Sequence, residues 1–278
     1  MKEYKIKHFT RIYHDFLMPS QLDKWKTLLS FAKRKGYEFI PIRDFIVRIK
    51  ESSFVASNRK YFIVRHDVDS GLSILRNMWL IEKQMGVKST YYFRLSTVDV
   101  PLMKDIESCG SEASYHYEEL ATYAKRKGLM SRVDITEHME EIKALFKKNI
   151  YWLRRITGLS MITVASHGDF INRKLGVINH EILKDVAFMN ECNIDFEAYD
   201  ENFIRFITNR YSDSLTSAFW FTSSLFDAIM RNESVIYCLV HPNNWGSDFF
   251  ENFINNLWRL YEEFSWFSKK IFRGKGTP

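Results

Sequence analysis

Four short polar clusters in this 278-residue chain carry residues that could do chemistry: Asp67 and Asp69; His116 with Glu118 and Glu119; His167 with Asp169; and His241. Together they hold the parts needed to hydrolyse an amide or ester with cation-activated water. Such chemistry needs two or three His or carboxylate ligands, a base for the water and an acid for the leaving group. Zinc suits a donor set of nitrogen and oxygen, and cobalt, nickel or iron would fit one too. Arg65 stands just before the first cluster. In an extended chain Arg65, Asp67 and Asp69 share one face, successive members about 6.6 Å apart. The guanidinium can therefore hold Asp67 ionised by charge pairing. His66 falls on the other face and reads as structural, while His138, beside Glu137 and Glu141 without the spacing of a zinc helix, reads as a solvated-face residue.

The clusters need elements that bring them together, and each follows an apolar run of strand length. Such runs are found at 61–64, 89–95, 111–117, 160–166 and 234–240, with a shorter one at 37–42. Helical periodicity separates them, at 73–85, at 134–157 with Ile135, Met139, Ile142, Phe146, Ile150 and Leu153 on one face, at 220–230 and at 248–272. Residues 193–208 are ambiguous and hold one or two strands. Parallel strands joined by helices, with polar groups at one end, describe a (β/α) barrel or a doubly wound sheet. Seven or eight strands, and no glycine-rich phosphate loop, favour the barrel. One domain over 1–278 is expected, with its motif-bearing core at about 61–245.

Composition narrows the function. The net charge of +6 is spread along the chain, and no zinc-finger spacing, RNP-like segment or recognition helix is present, which argues against nucleic acid as a partner. Three cysteines, Cys109, Cys192 and Cys238, are too few and too scattered for a disulfide framework or a cysteine metal cage. The amino terminus lacks an apolar signal core and no run is long enough to span a bilayer, so a cytoplasmic protein is expected. Aromatic residues make up 16% of the chain; they fill the core or line a groove that stacks on sugar rings. The aromatic and basic stretch 264–275 suggests peripheral contact with an anionic membrane surface.

The ordered clusters resemble the motifs of the polysaccharide deacetylases, carbohydrate esterase family 4, and within them the divergent cytoplasmic members of surface-polysaccharide biosynthesis. Residues 65–69, RHDVD, resemble the first motif, 110–118, GSEASYHYE, the second, 166–169 the third, and Leu239-Val240-His241 the last. The resemblance implies a distorted (β/α)7 barrel and removal of an acetyl group from an N-acetylated sugar, nucleotide sugar or oligosaccharide. It implies Asp67 as base, Asp69 and His116 as metal ligands, His241 as acid and Arg65 as support. The family's second metal-binding His, four residues after the first, is replaced here by Leu120. His167 is the preferred substitute, Glu119 the local one; loss of the metal would leave a degenerate barrel that binds a glycan or a protein partner. Residues 20–42 resemble the unit that commonly closes such chains, which implies a permuted order.

Overall fold

The computed structural model describes residues 12–50, 59–213 and 218–273. In chain order these form α1 (Leu22–Arg34), β1 (Tyr37–Phe39), α2 (Ile42–Lys50), β2 (Lys60–Val68), α3 (Leu72–Met85), β3 (Thr90–Phe93), α4 (Val100–Ser108) and β4 (Glu112–Tyr117). Then come α5 (Glu119–Lys127), α6 (Arg132–Glu137), α7 (Met139–Thr157), β5 (Thr163–Ser166), α8 (Phe170–Leu175), α9 (Val186–Glu191), β6 (Phe196–Glu197), α10 (Glu201–Ile204), β7 (Asn209–Ser212), α11 (Ala218–Met230), β8 (Val235–Val240) and α12 (Phe249–Arg273).

The strands join in the order β6-β5-β4-β3-β2-β8-β7, every pair parallel, with β1 beside the start of β2. This is a seven-stranded α/β barrel left unpaired between β6 and β7. Side chains close the gap: Phe203 of α10 packs between Phe196 at 5.3 Å and Tyr237 at 5.6 Å. Residues of β2, β3, β5, β6 and β8 meet in one interior cluster containing Ile63, Tyr92, Ala165, Phe196 and Tyr237. Helices cover the outside. On α7, Ile142, Phe146, Ile150 and Leu153 recur every three or four residues, and all are fully buried.

The seam between β8 and β2 is covered by α1, from the other end of the chain. Its Trp25, Leu28, Leu29 and Ala32 are fully buried, in one cluster with Phe221 and Leu225 of α11 and with Ile74 and Met78 of α3. The outer layer over this seam is thus supplied by a helix that precedes every strand of the barrel in the chain.

Two expectations need correction. The helix expected over 134–157 is two helices, because His138 leaves helical geometry and its Nδ1 meets the Asp134 carbonyl at 2.8 Å. It is a half-buried joint rather than a solvated-face residue. The stretch 193–208, expected to hold one or two strands, holds one, the two-residue β6, together with the short α10; the next strand, β7, lies beyond it. No helix among the described residues is long and apolar enough to cross a membrane. All three cysteines are unbridged, Cys192 and Cys238 buried.

Candidate metal centre

Strand β2 carries alternate residues to opposite sides, which sets up the site. Arg65 and Asp67 point into the barrel, where Arg65 Nε and Nη2 donate to the two carboxylate oxygens of Asp67 at 2.6 and 2.8 Å. The guanidinium is fully buried and also donates to the hydroxyls of Tyr237 and Tyr199, both at 3.2 Å. His66 points out, stacked on Tyr91 at 4.3 Å with Nε2 2.9 Å from Glu82. Beyond the strand the chain turns at Gly71, whose φ of +77° suits glycine. A Cβ there would stand 2.9 Å from the Asn243 nitrogen, so this turn rests directly against the turn after β8 that follows His241.

At the ends of β4 and β5, His116 and His167 meet edge to face, their ring centroids 5.2 Å apart. Both Nε2 atoms lie 3.4 Å from Asp69 Oδ1, and His116 Nε2 is 3.5 Å from Asp67 Oδ2. The other nitrogens are tied behind. His116 Nδ1 is 3.0 Å from the Ala165 carbonyl, and His167 Nδ1 is 3.3 Å from Glu118 Oε2. Glu118 is itself clasped by Arg94 through both oxygens, at 2.8 and 2.7 Å. Carboxylates and carbonyls placed behind ring nitrogens in this way orient metal-binding histidines.

Burial alone would neutralise these carboxyls, but the neighbouring cations outweigh it. Asp67 stays below the ordinary carboxylate range because of Arg65 and then His116, and Asp69 well below it because of His167 and His116. For Glu118, burial is likewise overcome by His167 and Arg94, and its pKa falls to about 2. Burial pulls His167 down, yet Asp69 and Glu118 raise it to about 9. At the end of β8, His241 Nδ1 meets Asp213 Oδ1 at 2.6 Å, and Asp213 Oδ2 accepts from the His241 backbone at 2.8 Å and from Trp245 Nε1 at 3.1 Å. Burial works against charge on His241, but Asp213, and after it Asp67 and Asp69, lift its pKa to about 9.

Two observations test whether the cluster suits a cation. A backbone carbonyl only accepts, so His116 Nδ1 must donate to Ala165; in the neutral ring Nε2 then turns a lone pair toward the acceptor oxygens of Asp67 and Asp69. Asp69 Oδ1 is buried and makes no hydrogen bond of normal geometry. A shared cation, or a proton on the ring, resolves both. One donor atom from each of Asp69, His116 and His167 lies within 4.8 Å of the other two. Metal–ligand distances of about 2.0–2.1 Å give a tetrahedron with edges of about 3.3–3.4 Å, against about 2.9 Å for an octahedron of similar bond length. The two 3.4 Å separations match the tetrahedron. Two imidazoles and one carboxylate fit zinc.

His167 thus joins Asp69 and His116 in the cluster, and Leu120 does not. Leu120 is fully buried in the apolar core, and Glu119 faces the Tyr115 hydroxyl and, at 2.9 Å, Asn149 Nδ2, away from the cluster. Asp169 caps α8 through the Ile171 amide and pairs with Lys125. Sequence reasoning missed Asp213, Arg94 and the tyrosines around Arg65. A cavity of about 760 Å³ opens on Asp69 and His167, walled also by Arg94, Phe170, Trp258 and Arg259. Only Phe170 and Trp258 among its walls are aromatic, so the aromatic surplus lies elsewhere, in the core and on α12.

No family model and no curated protein matches the sequence. Solved structures similar to this chain include BA3943, a CE4 family pseudoenzyme from Bacillus anthracis, and a BA3943 mutant with restored enzymatic activity. Each is 16% identical with a TM-score of 0.41, over 72% of this chain and 61% and 63% of theirs, respectively, so the match spans less than two thirds of those proteins.

Proposed function

We propose that the protein is a metal-dependent amide hydrolase that removes an acetyl group from an N-acetylated sugar of surface-polysaccharide biosynthesis. The observation that carries this reading is the triangle of Asp69, His116 and His167 beside two groups suited to opposite proton transfers, Asp67 and His241. Asp69, His116 and His167 would hold a divalent cation, which would supply acidified water and polarise the acyl carbonyl. Asp67, clamped by Arg65, is held below the usual carboxylate range and is a weak base, so it suits water that is already acidic. His241, kept charged by Asp213, holds the proton that the sugar nitrogen takes as the C–N bond breaks. Water is consumed, and acetate and the free amine are released. The cavity has the volume of a ligand site for one or a few sugar units.

The experiment combines metal analysis with acetate release from N-acetylglucosamine oligosaccharides and the corresponding nucleotide sugar. Purified protein is expected to hold about one zinc per chain. Asp67→Asn should keep that metal and release no acetate; acetate release by this variant would remove Asp67 as the base. A metal-free native protein would favour the second reading, a degenerate glycan-binding barrel, for which Leu120 is the argument.

A further inference from the structure

Helix α12 is amphipathic the wrong way round. Phe250, Phe253, Ile254, Leu257, Tyr261 and Phe264, spaced by three and four, form one stripe, and each is between 49% and 77% exposed. The stripe is about 21 Å long at about 1.5 Å per residue. The polar side faces the protein. Asn252 and Asn256 donate to the carbonyl and carboxylate of Asp15 at 2.7 and 2.9 Å, and Glu262 pairs with Lys125 at 2.8 Å. Helices on the surface of water-soluble proteins turn these faces the opposite way, and an apolar patch of this extent marks an interaction surface.

The charge beside the stripe indicates its partner. After Glu263 the chain has no acidic residue and four cations, Lys269, Lys270, Arg273 and Lys275, the last beyond the described residues. Lys174 of α8 lies beside the same end, 5.7 Å from the Phe267 ring. Apolar and aromatic residues on one face with cations at the rim are the recognition elements for anionic lipid. We propose that the outer face of α12 docks the protein on an anionic lipid bilayer, the helix lying in the plane of the headgroups. Because Trp258 and Arg259 of this helix also wall the cavity at Asp69 and His167, docking brings the candidate site to the lipid surface. Resting on the reading of the site given above, the substrate class is then an N-acetylated sugar carried on a membrane lipid.

Vesicle flotation tests the docking without any turnover. The full chain should float with vesicles of mixed phosphatidylcholine and phosphatidylglycerol and much less with phosphatidylcholine alone. A Phe250→Glu/Phe264→Glu double variant should partition at least about ten-fold more weakly, as the loss of two buried aromatic side chains implies. A Lys269→Glu/Lys270→Glu variant should lose the preference for anionic vesicles. Neither phenylalanine walls the cavity, so metal content and turnover of soluble sugars should be unchanged in the double variant, which separates failure here from failure of the hydrolase reading. Absence of flotation, flotation unaffected by the Phe substitutions, or a solution dimer that those substitutions dissociate would overturn the proposal.

Discussion

The Asp213–His241 pair offers the most direct test of the acid half of the site. His241 stands at about 9 against an ordinary 6.5, a rise of about 2.5 units, or about 3 kcal/mol at about 1.4 kcal/mol per unit. The Asp213 hydrogen bond and charge contribute most of this against the burial of the ring; Asp67 and Asp69 add less. Asp213→Asn keeps the shape and an acceptor for Trp245 while removing the charge. The His241 pKa should therefore fall back to about the ordinary value of 6.5 or below it. Histidine Cε1 resonances of metal-free wild type and variant, followed through a pH titration, read this directly. Because the folded-state pKa is raised, the stabilising contribution of the pair is full below about pH 6.5 and lost as pH rises through about 9. The stability gap between wild type and variant should be widest near pH 6, shrink from about pH 6.5, and be gone above about pH 9. If His241 is the acid, the alkaline limb of kcat/KM should move down with its pKa. An unshifted His241 titration in the variant would refute the assignment of Asp213.

Two other substitutions probe the metal triangle and the turn that carries it. His167→Ala should lower zinc affinity at least ten- to a hundred-fold, as loss of a ligand or its support does, measured by competition with a chromogenic chelator; unchanged affinity would exclude His167 from the set. Gly71→Ala places a Cβ 2.9 Å from the Asn243 nitrogen on backbone of φ +77° and should cost about 2–4 kcal/mol in thermal or denaturant unfolding. Its metal content should fall less than its turnover, since the turn it presses on, at Asn243, directly follows His241.

Much of the fold was legible because the strands are apolar and end in charge. The period-two alternation of β2 separates Arg65 and Asp67 from His66 without further information, and the structure places them so. Where the signal was short or exposed it failed. β6 has two residues and β7, NRYS, is exposed or half-buried along its length; no hydrophobic pattern marked the strand that delivers Asp213. Arg94 and Asp213 act through charged groups distant in sequence, and spacing along the chain carries no sign of them. The break at His138 was hidden because the apolar period continues across it, while the ring itself bonds to Asp134. The polar inward face of α12 is visible only once the barrel beneath it is known.

The covering of the β8–β2 seam by α1 governs how the chain reaches this structure. Strand β2 pairs with β8 across an interval from Tyr61 to Val235, and Tyr37 reaches the carbonyl of Glu233, 196 residues away. The buried face of α1 has no complete seat until α11 and β8 exist. Contacts of such separation close late and slowly, so α1, which precedes every strand of the barrel in the chain, is among the last elements to find its place. The carboxyl-terminal Asp213 and His241 reach Asp67 through the same closure. The closed barrel and the approach of His241 to Asp67 should therefore form together, and a nascent chain ending before β8 should hold neither.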